Sequence, residues 1–495
     1  MGLMRFRFRP DAVPPGWAEC AEQAYLSGYG GCVYPTEVEV HSGLLVCRRV
    51  GSESAKLSVA WPVEGFGCPV LTTSTLGERE EPYDLALELA RGEICELRNQ
   101  LATWESLGLA TPSDVAASCR RAQSCFVQAL TAEDEGETER LVAEALQHAL
   151  SAAQQFVQHY ASQRLAAQRA RLSRPPALLG VRLQEAAPQE EWTETVLACS
   201  HAVGVSCFWP QVEPVEGEYR WELFDEQIDW CERHGLNVVG GPLLDFSESG
   251  VPKWLKSWAG DFVNLRSFLS DYVETALSRY VGRIRVWEVA GRLNVGGALG
   301  LSGEDRVTLV AGLLRVARQV DEEALLYVGV VQPWGEYMAR GEHRFGPLDF
   351  ADALLRFGLG LSGINLEVNF GYRRLGTLPR DLLDFSRLVD TWSRLEVPLH
   401  VTISFPGCTD VRSEAVQQQV WPCPWGDGWS EPAQAEWLDQ VVALLMAKPS
   451  VVGVFWGRLV DPPDGHPYPG SGLVRPDGTP KPALERLGKH KRLWA

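Results

Sequence analysis

The sequence predicts an α/β protein whose C-terminal part is a (β/α)8 TIM barrel, preceded by a small β-rich unit and a helical segment. Three observations carry this. Eight short apolar runs follow Pro176, amphipathic segments separate most of them, and Pro175-Pro176 ends a long helical stretch just before the first run. Strand alternating with helix eight times in about 310 residues is the pattern of such a barrel. A doubly wound sheet is the alternative, but no Gly-x-Gly-x-x-Gly follows the first run to form a dinucleotide site.

Residues 1–80 hold short β-like runs at 5–9, 32–40, 43–50 and 57–61, with tight glycine loops such as Gly28-Tyr29-Gly30-Gly31 between them. This spacing predicts a small sandwich or barrel-like unit, able either to bind sugar or to cap the rest of the protein. From Pro82 the period becomes helical, through Leu85, Leu89, Leu97 and Leu101. Pro112-Ser113-Asp114 opens a second helix, with Ser113 or Thr111 as its cap. Residues 139–171 form a long helix whose stripe of Leu141, Ala145, Leu146, Leu150, Phe156 and Tyr160 reads as a packing face. Its basic end, Arg164, Arg169, Arg171 and Arg174, suits a helix C-terminus. The expected regions are therefore 1–80, 81–176 and 177–490, with few contacts crossing the Pro175-Pro176 boundary. The barrel runs are 177–183, 204–209, 237–244, 283–290, 324–331, 363–369, 398–405 and 451–459. Helical segments are read at 221–234, 263–280, 304–320, 378–395 and 432–448.

Composition excludes some classes of function. A formal charge of −18 argues against nucleic acid as a partner, because phosphate binding needs a basic surface. No run approaches the roughly 18 apolar residues of a membrane helix. The twelve cysteines form no Cys-x-x-Cys pair and have no histidine at metal spacing, so neither a metal nor another cofactor is expected. The alternation of Arg5, Arg7 and Arg9 with Phe6 and Phe8 is a strand pattern rather than a signal peptide, which points to a cytoplasmic protein with reduced thiols. Eighteen tryptophans are many, and an excess points to stacking surfaces or to a large aromatic core.

With the runs aligned in this way, several motifs follow in order along residues 178–488. They are Trp209-Pro210-Gln211-Val212-Glu213-Pro214-Val215-Glu216-Gly217, Phe224-Asp225, His234-Gly235-Leu236-Asn237-Val238 and Trp287-Glu288-Val289, then Gly453-Val454-Phe455-Trp456-Gly457 and Lys481-Pro482-Ala483. In this order they resemble glycoside hydrolase family 10, the endo-β-1,4-xylanase family: the first is similar to its K-W-x-x-x-E-P-x-x-G segment, and the last two to its final strand and terminal K-P-A. The resemblance implies a sugar cleft at the carboxyl ends of the strands, with Trp209, Trp456, Asn369 and Trp334 as substrate-binding residues. It also implies an oligosaccharide or polysaccharide partner.

The departures fall on the catalytic positions. The family's acid/base ends W-D-V-V-N-E, and here that place is Arg292, after Gly291. Its nucleophile lies in T-E-L-D on strand seven, where this chain reads Val401-Thr402-Ile403-Ser404 and Ile403 takes that place. Strand three loses both histidines and the tryptophan of G-H-T-L-V-W-H, and strand six carries Glu367 and Asn369 where the family has Gln and His. Retaining hydrolysis needs two carboxyl groups about 5–5.5 Å apart, and an arginine has no proton to give at ordinary pH. Non-catalytic sugar binding is the leading reading. One alternative is a hydrolase rebuilt on displaced acids, with Glu367, Asp245 and Asp461 as candidates near strand ends; the other is a scaffold without a sugar ligand. Glu367 is expected to pair with Arg292, Asp461 to shape a loop, and Glu288 to point away from the ligand. The loop from 408 to 432, with Trp421, Trp425 and Trp429, is either part of the cleft or a self-packed lid.

Overall fold

A computed structural model describes residues 2–172, 175–183, 190–341, 343–407 and 414–494. Arg174 and the first residues of the 408–432 loop lie outside the described residues.

The barrel strands are β1 (Leu178–Leu183), β2 (Ala202–Val205), β3 (Asn237–Gly240), β4 (Val286–Gly291), β5 (Leu325–Val331), β6 (Leu361–Phe370), β7 (Leu399–Ser404) and β8 (Val451–Trp456). Each pairs in parallel with the next, and β8 pairs with β1, so the sheet closes. Closure explains why these runs are buried on both faces: one faces the barrel interior and the other the helices. The run at 237–244 is interrupted. Gly241, in left-handed backbone, and Pro242, without an N–H, break the ladder, and only Leu244–Asp245 rejoins β4. Helices Glu222–Arg233, Phe262–Tyr280, Gly303–Val320, Leu382–Trp392 and Glu431–Ala447 lie where expected. Two more, Glu190–Cys199 and Pro347–Arg356, fill connections that the sequence reading left without a helix.

The interior of the barrel is layered. Near its base, Tyr327 stacks on His400 at 4.2 Å, and His400 packs against Phe455. Above this lie Arg182, Glu288, Asn365 and Thr402, from four different strands. Two strand glycines make room for this layer. A Cβ at Gly204 would lie 2.7 Å from Arg182 Cγ, and one at Gly329 would lie 2.2 Å from Glu288 Oε1.

The first residues form two four-stranded sheets. One contains Gly2–Arg7, Glu37–His41, Leu44–Arg49 and Tyr83–Asp84; the other contains Tyr25–Ser27, Val33–Tyr34, Lys56–Ala60 and Val70–Thr72. Three helices follow: Leu85–Ser106, capped by Asp84; Ser113–Thr131; and Glu135–Arg169, capped by Asp134. Neither Thr111 nor Ser113 caps the second helix. Its cap position is Pro112, without a side-chain bond, and Thr111 instead donates to Glu105.

The expectation of few contacts across Pro175-Pro176 is not met. Trp104, Phe156 and Leu165 share one continuous core with the barrel. Trp104 stacks on Tyr160 at 4.3 Å, and Lys448, just beyond the Glu431–Ala447 helix, lies 5.0 Å from the Tyr160 ring centre. The apolar stripe on the long helix is a packing face, and what it packs on is the barrel. The 408–432 loop is similarly tied to the N-terminal unit: Cys68 N donates to Pro424 O at 2.9 Å, and Cys423 lies in the core beside Cys20 and Cys68. Every described cysteine is a free thiol. Among the described residues no helix is long and apolar enough to cross a membrane.

Candidate functional site at the barrel mouth

The carboxyl ends of the strands surround a cavity of about 310 Å³. Its lining includes Arg182, Asp245, Glu288, Arg292, Asn365, Glu367, Asn369, Thr402, Ser404, His466 and Tyr468. Among the described residues, none of the N-terminal unit lines it.

Strand β6 supplies one wall. Asn365, Glu367 and Asn369 are two residues apart, so all three face inward. Arg292 follows β4 in left-handed backbone, with φ 57°, which turns the chain at the strand end. Its Nε and Nη2 donate to Glu367, at 2.9 Å and 2.6 Å, and its Nη1 donates to Asp245 at 3.0 Å. One guanidinium thus bridges the two carboxylates nearest the opening. Asn369 Nδ2 donates to Glu367 at 2.8 Å, and the Ser247 backbone N–H donates to Asp245 at 2.9 Å. Below this, Arg182 Nη2 donates to Glu288 at 2.6 Å and Nη1 donates to Gly241 O at 2.9 Å. Asn365 donates to both Glu288 oxygens at 3.1 Å, and Thr402 donates to Asn365 at 3.0 Å. The carboxylates in the cavity are each engaged by a guanidinium, as buried charge requires.

Electrostatics follow from this geometry. Burial alone would raise the Glu367 carboxyl, but the Arg292 charge and its hydrogen bonds outweigh it and hold Glu367 below the usual carboxylate range. Burial works against charge on Arg292 too, yet Asp245 and Glu367 hold its proton more firmly than usual. His466 is pushed down to about 4 by burial and by Arg458, Arg292 and Arg374, so it is neutral at pH 7. Burial raises the Tyr468 hydroxyl, which stays protonated.

Several expected site residues lie elsewhere. Ile403 does not face the cavity. It is buried in the core, while its neighbours Thr402 and Ser404 line the opening, so the inward residues of β7 are Thr402 and Ser404. Glu288 points into the cavity rather than away from it. Trp209 is buried, stacks on Tyr272 at 4.5 Å and donates to Glu213 at 2.7 Å. Trp456 is buried too, and its Nε1 donates to Ser471 O at 2.7 Å. Neither is a platform; both fill the layer between sheet and helices. Trp334 lines a separate cavity. Asp461 does not line the mouth: it pairs with Lys481 at 2.7 Å and accepts from Gly472 N, bracing a loop. Trp429 packs on Phe405, and Trp421 lies against the N-terminal core, so the described part of that loop is a packed lid.

Arg182, Asn365, Thr402, His466 and Tyr468 escaped the sequence reading. Arg182 and Glu288 did carry a signal, since each is a lone charge inside an otherwise apolar strand and a buried charge demands a partner. Among the described residues no group of three His, Cys, Asp or Glu side chains is arranged to hold a metal.

The family model described as Glycosyl hydrolase family 10 matches residues 203–328, from β2 into β5. That span contains Arg292 but stops short of β7. Endo-1,4-beta-xylanase 3 of Hypocrea jecorina is 28% identical over 127 residues, 24% of this chain and 35% of the fungal protein. Endo-1,4-beta-xylanase B of Thermotoga neapolitana is 20% identical over 259 residues, 50% of this chain and 66% of that protein. The chain thus spans about a third of the fungal relative's length and just under two thirds of the bacterial one's. Native xylanase 10B from Thermotoga maritima superposes with a TM-score of 0.49 at 15% identity, covering 67% of this chain and 98% of that one. Within its closed parallel barrel, the chain is thus similar to glycosyl hydrolase family 10 from β2 into β5.

Proposed function

We propose that the barrel mouth binds an oligosaccharide, of the β-1,4-xylan type by ancestry, without the two-carboxylate retaining hydrolysis of family 10. The observation that carries this is the Arg292 bridge: the guanidinium occupies the space between Asp245 and Glu367 and engages both. A retaining site needs one carboxyl that keeps its proton and one free to attack. Here Glu367 is held ionised, and strand β7 presents Thr402 and Ser404, neither of them an acid. A fixed cation at this point also opposes an oxocarbenium-like transition state. What supports sugar binding is the lining: Asn369, Ser247 and Ser404 as hydroxyl partners, and Phe208 and Tyr468 as aromatic surfaces. Among the described residues the buried Ser247 hydroxyl has no partner, so a ligand hydroxyl has a bond to gain. The free thiols suit a reducing compartment, and cytoplasmic residence belongs to the same proposal.

The second reading, a hydrolase on displaced acids, rests on Asp245 and Glu367 both lining the cavity. Turnover of xylo-oligosaccharides and aryl glycosides, compared in the parent, Glu367→Gln and Asp245→Asn, separates the two. The binding reading expects no turnover in any of them, with oligosaccharide affinity weakened in Asn369→Ala. Turnover in the parent that collapses in either acid variant would establish the hydrolase instead, and absence of both turnover and binding would leave an inherited scaffold.

A further inference from the structure

A second cavity, of about 340 Å³, lies between the N-terminal unit and the barrel and, among the described residues, shares none of its lining with the mouth. Strands Tyr25–Ser27 and Lys56–Ala60 form one side, and the segments after β5 and β6 form the other. Its size is at the lower end of small-ligand pockets, about 300–1,000 Å³.

Three features single it out. The turn at Gly28-Tyr29-Gly30-Gly31, closed by Gly31 N to Gly28 O and Gly28 N to Cys32 O, holds Tyr29 at its tip, on the cavity rim and 92% exposed. An aromatic ring displayed in this way has no packing role. Trp334 lines the cavity with its orientation fixed by Arg380, 4.6 Å from the ring centre, and by Phe385 edge-on at 5.4 Å. Its Nε1 is buried and has no hydrogen-bond partner among the described residues, whereas buried donors are ordinarily paired.

The charges of the lining define the ligand. Lys56 and Arg387 both clamp Glu96, at 2.9 Å and 2.8 Å. Arg380 is held by Asp384 and Glu336, and donates to the Tyr25 hydroxyl at 3.0 Å. These cations are already engaged and Asp349 adds a carboxylate, so an anion finds little to hold it. Aromatic rings together with paired charges and the hydroxyls of Ser27 and Ser58 suit a neutral molecule with apolar C–H faces and many hydroxyl groups.

We propose that this cavity is a second, independent ligand site for a neutral saccharide, with Tyr29 and Trp334 as its aromatic contacts. The site is built jointly by the two units, which gives the N-terminal unit a role beyond capping.

Titration calorimetry of the full chain with xylohexaose, cellohexaose and mannohexaose tests this, with hexagalacturonate as the anionic control. Tyr29→Ala touches no core and should melt as the parent does. Trp334→Phe keeps an aromatic ring and removes the orphaned donor together with the five-membered part of the indole. At least one neutral hexasaccharide should bind, with affinity falling about tenfold or more in Tyr29→Ala and measurably in Trp334→Phe, while Asn369→Ala in the mouth leaves that event intact. Hexagalacturonate should bind more weakly. Failure of all three neutral sugars to bind would overturn the proposal, as would affinities unchanged in Tyr29→Ala or tighter binding of hexagalacturonate at this site. Loss confined to Asn369→Ala would assign binding to the mouth alone and overturn the second site, whereas loss confined to Tyr29→Ala would uphold it and remove the mouth reading instead.

Discussion

Replacing Arg292 by Met removes the cation between Asp245 and Glu367 while keeping most of the side chain's bulk. Breaking one partner out of a buried ion pair costs about 3–5 kcal/mol. The Arg292 side chain is 22% exposed, and those of Asp245 and Glu367 are 12% and 16% exposed, so cavity water softens the cost. We expect a loss of about 2–4 kcal/mol at pH 8. The loss should depend on pH with a defined sign. In the parent, Glu367 is held below its ordinary value of 4.5, so its contribution is present above that value and disappears as pH falls through the lowered one. In the variant, burial is opposed only by the Asn369 hydrogen bond and the Arg182 charge, so Glu367 rises. Its folded form then becomes less stable as pH rises through the new value. The gap between parent and variant should therefore widen from pH 5 to pH 8. Urea unfolding followed by tryptophan fluorescence at both pH values measures it, and Glu367→Gln in the Arg292→Met background should restore much of the loss at pH 8. A loss below about 1 kcal/mol, or one equal at the two pH values, would refute the claim that Arg292 neutralises this acid pair.

Two further perturbations test other parts of the account. Asp381 caps the Leu382–Trp392 helix and is pushed up to about 6, first by burial and then by Asp384. Its stability contribution is full below its ordinary 3.8 and is lost as pH rises through about 6; Asn keeps the cap without the charge, so Asp381→Asn should gain about 1–2 kcal/mol at pH 8 and nothing at pH 4, measured by urea midpoint. Trp456→Ala should cost about 3–5 kcal/mol of stability, because the ring is core rather than platform; a variant that melts like the parent yet loses oligosaccharide binding would reverse that assignment.

The eight strands were legible because apolar runs bounded by helical periodicity admit few other folds. Helix Pro347–Arg356 was hidden by Gly341, Gly346, Gly358 and Gly360 around it, which read as loop. The motif from Trp209 to Gly217 was correctly placed but wrongly interpreted. Glu213 accepts from Trp209 Nε1, Gly217 N and, through its carbonyl, Trp254, so the motif braces its own loop and needs no ligand. Lys481 of the terminal Lys-Pro-Ala has a similar role against Asp461. On β7, Ile403 turns into the core and its two neighbours reach the opening, as faces alternate along a strand. Val401 and Ile403 alternate with Thr402 and Ser404, and in a barrel whose interior is polar the hydroxyls face inward. Of the two readings open for the tryptophan count, the aromatic core holds for Trp209 and Trp456: large rings fill the layer between sheet and helices as readily as they line a cleft. Tyr468 and His466 reach the mouth from a long loop, and nothing local in the sequence announces that.

The most direct test of the central claim is a calorimetric titration of the intact chain with xylohexaose, with the sugar recovered from the same cell after prolonged incubation and weighed by mass spectrometry. The account predicts saturable binding and an intact hexasaccharide. Xylobiose or xylotriose in the recovered sugar would contradict it by showing that the mouth still cleaves, and a flat titration would contradict it by showing that xylohexaose is not held there.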